Sequence, residues 1–328
     1  MRTDRRLAAV AGMAAASVLV LAGCSSSGAD ASDGRIAVVA STDVYGQLVE
    51  QIGGERVDVT SIVSSASGDP HEFEPSARDQ LAVSRAQLIV ENGGGYDSFV
   101  DALIESSGSD ADVLTAVEFS QAWEGRASHD DSDDGEHADD EHADGHGHDH
   151  EHIEGFNEHV WYDVRAMADL ALGIASRLEM LDPDNGGVFR ENAAAFTAEV
   201  ETIEAQLAEI DAADGGAGVF VTEPVPVYFV EAAGLIDLTP AAFSEAVEEG
   251  QDVPPATLLE ALDLIASGEV RVVIVNTQTG GAETTRVMRE ADSRGVPVIE
   301  FSETLPEGQT YLSWMQANAT ALAKALAG

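Results

Sequence analysis

Four short segments of this 328-residue chain carry side chains of the kind that ligate metals. They are Asp69-Pro70-His71-Glu72-Phe73-Glu74-Pro75, Asn157-Glu158-His159-Val160-Trp161-Tyr162-Asp163, Val221-Thr222-Glu223-Pro224 and Phe301-Ser302-Glu303-Thr304-Leu305. Each reads as a loop following a strand, and open α/β sheets bind ligands beyond the carboxyl ends of their strands. Two neutral imidazoles and two carboxylates suit a divalent cation. The two negative charges balance the ion, which lowers the cost of burying it. Taken one at a time, these residues also read as ordinary loop side chains, a solvated Glu or a capping His. The signal lies in their occurring together, two in each half of the chain.

Hydrophobic periodicity predicts the elements that must position these loops. Residues 36–40 read as a first strand, and 43–52 as a helix with Val44, Leu48 and Ile52 at spacing four, closed by Gly53-Gly54. Residues 57–63 alternate as a strand. Pro75 opens a helix through residue 85, 88–90 form a strand running into Asn92-Gly93-Gly94-Gly95, and 97–105 are helical. A helix over 164–181 stops before Pro183. In 188–213, Phe189, Phe196, Val200, Ile203, Leu207 and Ile210 form a sustained helical stripe, about 35–40 Å long at 1.5 Å per residue. Beyond Gly215-Gly216, strands over 219–221, 270–275 and 296–301 alternate with helices over 225–233, 256–266, 283–293 and 311–327. This alternation predicts an α/β fold with mainly parallel sheets. The N-terminal lobe covers 35–186, a linking helix 187–213, and the C-terminal lobe 214–328.

Apolar residues make up 44% of the chain, enough for a sizeable core. Sixty acidic residues against 16 basic ones give a formal charge of −44, which repels nucleic acid and anionic lipid. Such a chain accumulates cations, although salt adaptation or solubility also accounts for the excess. Segment 128–152 holds seven His and eleven Asp or Glu and no large apolar side chain, so it reads as a mobile surface loop. Residues 1–23 read as a secretory signal: Arg2, Arg5 and Arg6 precede an apolar run, which is shorter than the ~20 residues a spanning helix needs. Leu21-Ala22-Gly23-Cys24 resembles the lipobox of bacterial lipoproteins, which implies lipidation at Cys24, with 24–34 as a flexible tether. Cys24 is the single cysteine, so disulfides, thiolate metal sites and cysteine nucleophiles are excluded from the domain beyond it.

The motif from Asp69 to Pro75, with His159-Val160-Trp161-Tyr162-Asp163, makes the chain resemble the zinc/manganese solute-binding lipoproteins of bacterial metal ABC importers. The resemblance extends over essentially all of the chain beyond the leader. It implies two α/β lobes joined by one rigid helix, with a single divalent ion as cargo in the cleft. It implies His71, His159, Glu223 and Glu303 as the ligands. It further implies an ABC permease and its ATPase as partners, a monomer held by its lipid on the extracytoplasmic face of the cell membrane, and no enzymatic role. Two positions depart from the family pattern. The third ligand, commonly His in zinc members and Glu in manganese members, is Glu223. The fourth, usually Asp, is Glu303, one methylene longer. His137, His142, His146, His148, His150 and His152 resemble the His-rich loop of zinc members and read as an auxiliary metal-gathering segment, or as a spacer without a metal role.

The indications for the ion conflict. Two carboxylates with two imidazoles lean toward manganese or ferrous iron, whereas the His-rich segment and intrinsic affinity lean toward zinc, the favoured reading. Phe73, Trp161 and Tyr162 read as packing around the site. Asn276, Thr277 and Gln278 orient a ligand or cap a helix, and Arg165 pairs with a carboxylate. Two alternatives remain open: a secreted zinc hydrolase, although no His-Glu-x-x-His helix is present, and a surface metal-storage or adhesion protein without transport.

Overall fold

The computed structural model describes residues 34–64, 73–123, 155–276 and 278–328. The signal and tether through Asp33, including Cys24, lie outside the described residues, as do His71, Thr277 and all of 128–152 with its histidines.

In the first half, β1 (Ile36–Thr42), α1 (Asp43–Gly53), β2 (Val57–Val63), α2 (Ala77–Val83), β3 (Leu88–Glu91), α3 (Phe99–Ser107) and β4 (Asp112–Thr115) follow in order. The four strands form one parallel sheet in the order β2-β1-β3-β4. Helices α4 (Val164–Leu181) and α5 (Gly186–Asp214) come next. The second half runs β5 (Gly218–Val221), α6 (Val227–Ala232), β6 (Ile236–Asp237), α7 (Ala241–Glu248), α8 (Pro255–Ser267), β7 (Val270–Asn276), α9 (Ala282–Arg294), β8 (Val298–Phe301) and α10 (Tyr311–Leu326). Its strands form a second parallel sheet, β6-β5-β7-β8. In each sheet the strand order reverses beside one strand, between β1 and β3 and between β5 and β7. A ligand crevice is expected at these points.

The inner strands β1, β3, β5 and β7 are buried on both faces, as βα crossovers require, and their two-residue period assigns alternate side chains to different cores. Val38, Ala40, Leu88 and Val90 join a central core, while Val39 and Ile89 face an outer cluster with Val83, Val100 and Leu103. The second sheet repeats the pattern. Val219, Val221, Val272 and Ile274 point to the same central core, and Phe220, Val273 and Val275 pack outward with Phe243, Leu258 and Val287. The central core therefore draws on both sheets. The helices between them bind it together: α5 packs against α1, α4, α6 and α10.

Helix α5 has 29 residues, about 43 Å at 1.5 Å per residue. Phe189, Phe196, Val200, Ile203, Leu207 and Ile210 are all buried on its inner side. Helix α4 is started by Asp163, whose carboxylate accepts from Arg165 N (3.1 Å) and Ala166 N (3.2 Å). That cap fixes the direction in which the preceding His159 loop leaves the helix. Three elements go beyond the periodicity reading: β4, β6 and α7. β4 and β6 are too short to show a repeat and are strands because a neighbouring strand offers an open edge. α7 buries only Phe243 and Ser244, too little to mark a helical face.

Candidate metal centre

His159 is fully buried at the head of a 3-10 turn spanning Val160–Tyr162. Its orientation is set locally. Asn157 Oδ1 accepts the His159 backbone N–H (3.1 Å) and also lies 2.7 Å from Nδ1. The Asn157 amide nitrogen is committed elsewhere, donating to Pro224 O at 2.9 Å. An amide oxygen can only accept, so Nδ1 carries a proton, and in the neutral imidazole Nε2 then holds the lone pair. This is how ligating histidines are held in their tautomer. The same Asn157 side chain joins the His159 loop to the residue following Glu223.

Glu223 leaves the carboxyl end of β5 and Glu303 follows β8, and both are buried. Asn276, at the carboxyl end of β7, bridges them: its Nδ2 donates to Glu223 Oε2 (2.9 Å) and to Glu303 Oε2 (3.2 Å). Thr279 Oγ1 donates to Glu223 Oε1. Tyr96, from the turn after β3, donates from its hydroxyl to Glu303 Oε1 (2.8 Å). The Tyr96 ring sits 5.9 Å from the His159 ring and 4.7 Å from that of Trp161. Gln278 Oε1 accepts from Glu303 N (2.8 Å) and Thr304 N (2.9 Å), pinning the loop that carries Glu303. Asn276 and Gln278 thus orient the acidic residues. Trp161 and Tyr162 pack beside the site, Phe73 packs on Phe99 at 5.1 Å, and Arg165 pairs with Glu204.

Two further carboxylates come with this set. Glu158 is buried beside His159, and Glu248, the last residue of α7, points at the imidazole with Oε1 3.6 Å from Nε2. One ligand atom from each of Glu158, His159 and Glu248 lies within 4.8 Å of the other two. Burial first, then the charges of Glu158, Glu223, Glu303 and Glu249, push the Glu248 carboxyl up to about 9. Several carboxylates gathered in a dry site repel one another, and a divalent cation relieves that repulsion directly.

Of the four expected ligands, the structure brings Glu223 and Glu303 onto one shared amide and connects Glu303 to His159 through Tyr96. His71 lies outside the described residues. The sequence reading missed Glu248, which sits in an unrecognised helix within an acidic run that looks solvated. It also missed the roles of Asn157 and Tyr96. Asn157, two residues before a candidate His, was the one readable hint.

Residues 38–325 match the family model described as zinc-uptake complex component A, periplasmic. Among curated relatives, the manganese-binding lipoprotein MntA of Halalkalibacterium halodurans is 25% identical over 307 residues, covering 92% of each chain. The iron ABC transporter substrate-binding lipoprotein MtsA of Streptococcus pyogenes is 25% identical over 329 residues, covering 95% of this chain and 96% of its own. A crystal structure of ZnuA matches with a TM-score of 0.68 at 21% identity, covering 88% of this chain and 98% of that one.

Proposed function

This chain belongs to the zinc-uptake component A family, and from that premise we propose that it captures one divalent transition-metal ion outside the cytoplasm and delivers it to an ABC permease and its ATPase. The observation that carries the reading is the buried His159, with Nδ1 tied to Asn157 and Nε2 turned toward Glu248 from the second half of the chain, with Glu158 completing the group. His159, Glu223 and Glu303, with His71, are the proposed ligands. Asn157, Asn276, Thr279 and Tyr96 hold His159, Glu223 and Glu303 before the ion arrives, so little ordering of these three opposes binding. The relatives' descriptions as lipoproteins support a lipid anchor at Cys24. Among the described residues no helix is long and apolar enough to cross a membrane, consistent with anchoring by lipid.

Zinc is the proposed cargo, because intrinsic affinity at nitrogen and oxygen donors favours it over manganese. The carboxylate-rich surroundings favour a second reading, manganese or ferrous iron, and relatives carrying each of those metals in their names support keeping it. Metal analysis of protein purified without added metal, followed by Zn²⁺/Mn²⁺ competition, decides between them. Zinc retained against excess manganese supports the first reading, and manganese retained at equal free concentrations overturns it. Protein that holds neither ion overturns the function itself. Segment 128–152 is proposed to gather zinc near the site. Its deletion should lower the number of bound zinc ions while leaving the tightest one, and unchanged stoichiometry removes the role.

A further inference from the structure

Two donors bound to one ion at about 2.0–2.2 Å, with tetrahedral to octahedral angles, lie about 2.8–3.6 Å apart. Glu248 Oε1 lies 3.6 Å from His159 Nε2, too long for a hydrogen bond and at the span of two ligands sharing an ion. The oxygen is buried and accepts no hydrogen bond among the described residues. The side chain is 11% exposed, so water does not readily compensate it. Nothing in the packing of α7 requires an acid at this position: its anchors are Phe243 and Ser244. After Glu248 the chain turns away through Gly250 at φ +64°, so the carboxylate stands at the end of its helix facing the imidazole.

We propose that Glu248 is an additional oxygen donor to the cargo ion and sets the site's metal preference. This rests on the reading of the site as an ion carrier. A further carboxylate raises the coordination number and hardness of the donor set. Zinc is satisfied by four ligands, whereas manganese and ferrous iron take more oxygen donors. Glu248 therefore stabilises bound Mn²⁺ more than bound Zn²⁺, and the harder ions depend on it.

The test compares the full chain with its Glu248→Gln and Glu248→Ala variants, measuring Zn²⁺ and Mn²⁺ affinities by competition and the visible spectrum of the Co²⁺-loaded protein. Mn²⁺ affinity should fall about 10–100-fold, with a smaller loss for Zn²⁺. The Co²⁺ bands should intensify as the ion moves toward four-coordination. Glu248→Gln keeps the shape of the side chain and removes its charge, so circular dichroism should show an intact fold. Variants that match the parent in both affinities and in the Co²⁺ spectrum overturn the proposal. So does the same shift arising from Glu158→Gln and not from Glu248→Gln. A parent protein that binds no ion fails the underlying function, an outcome distinct from a parent that binds and a variant that does not differ.

Discussion

His159 can ligate a cation only if its outward nitrogen is unprotonated, and Asn157, by accepting from Nδ1 at 2.7 Å, places the single proton of the neutral ring on the inward nitrogen. Asn157→Ala should therefore weaken metal binding about 10–100-fold without unfolding the chain, as measured by competition with a chromophoric chelator. His159→Ala should cost more than that, and equal affinities for variant and parent would remove His159 from the site. Another buried acid, Glu91 at the carboxyl end of β3, gives a prediction about pH. Burial first, then the charge of Asp97, raises Glu91 from 4.5 to about 7, although Thr115 Oγ1 donates to it at 2.9 Å. The folded protein thus holds this proton more tightly than the unfolded chain does. The stabilisation is complete below about pH 4.5 and is lost as pH rises through about 7. Glu91→Gln has no such proton to lose. Its stability advantage over the parent should grow from pH 4.5 to 7 and then level off, reaching on the order of 3 kcal/mol in denaturant titrations. A pH-independent difference would show that the carboxyl is not perturbed.

Among the elements, α5 carries the longest shared surface, and Phe196 is fully buried on it with its ring 5.8 Å from that of Tyr311. Phe196→Ala should cost about 3–5 kcal/mol in urea unfolding, and a cost below 1 kcal/mol would mean the seam between α5 and α10 is not packed as described. This helix was legible in advance because its apolar stripe repeats over many turns, and helix α4 because Pro183 marks its end. The strands at 57–63 and 270–275 were equally plain, since their β-branched runs are long enough to show a pattern. β4, β6 and α7 were not, for a physical reason: their conformations are imposed by an adjoining strand edge or by one buried Phe, which leaves no period to detect. The loss had a functional consequence. His159, Glu223 and Glu303 could be singled out as candidates from motif and strand-end position. Glu248 reaches the same place from a helix the pattern does not reveal, and Tyr96 joins Glu303 across 207 positions of chain, a separation no local signal spans.

On the scale of the whole molecule, residues 34–328 form one compact unit, and the His159 segment is fastened to the second half at several points. Asn157 Nδ2 donates to Pro224 O at 2.9 Å, Tyr228 Oη to Asn157 O at 2.6 Å, Tyr162 Oη to Ser302 O at 2.6 Å and Tyr311 Oη to Trp161 O at 2.8 Å. With α5 spanning the centre, wide hinge closure would break all of these bonds together. Solution X-ray scattering should give the same radius of gyration with and without metal, and hydrogen exchange should slow only in loops near the centre. A contraction of several ångströms on loading would contradict this rigidity. The central claim is that one ion sits among His159, Glu223 and Glu303, and it is tested most directly by titrating Zn²⁺ into the chain lacking residues 129–152, with and without His159→Ala. The account predicts one tight ion per parent chain and none in the variant at the same free zinc. Equal tight binding by both would contradict it.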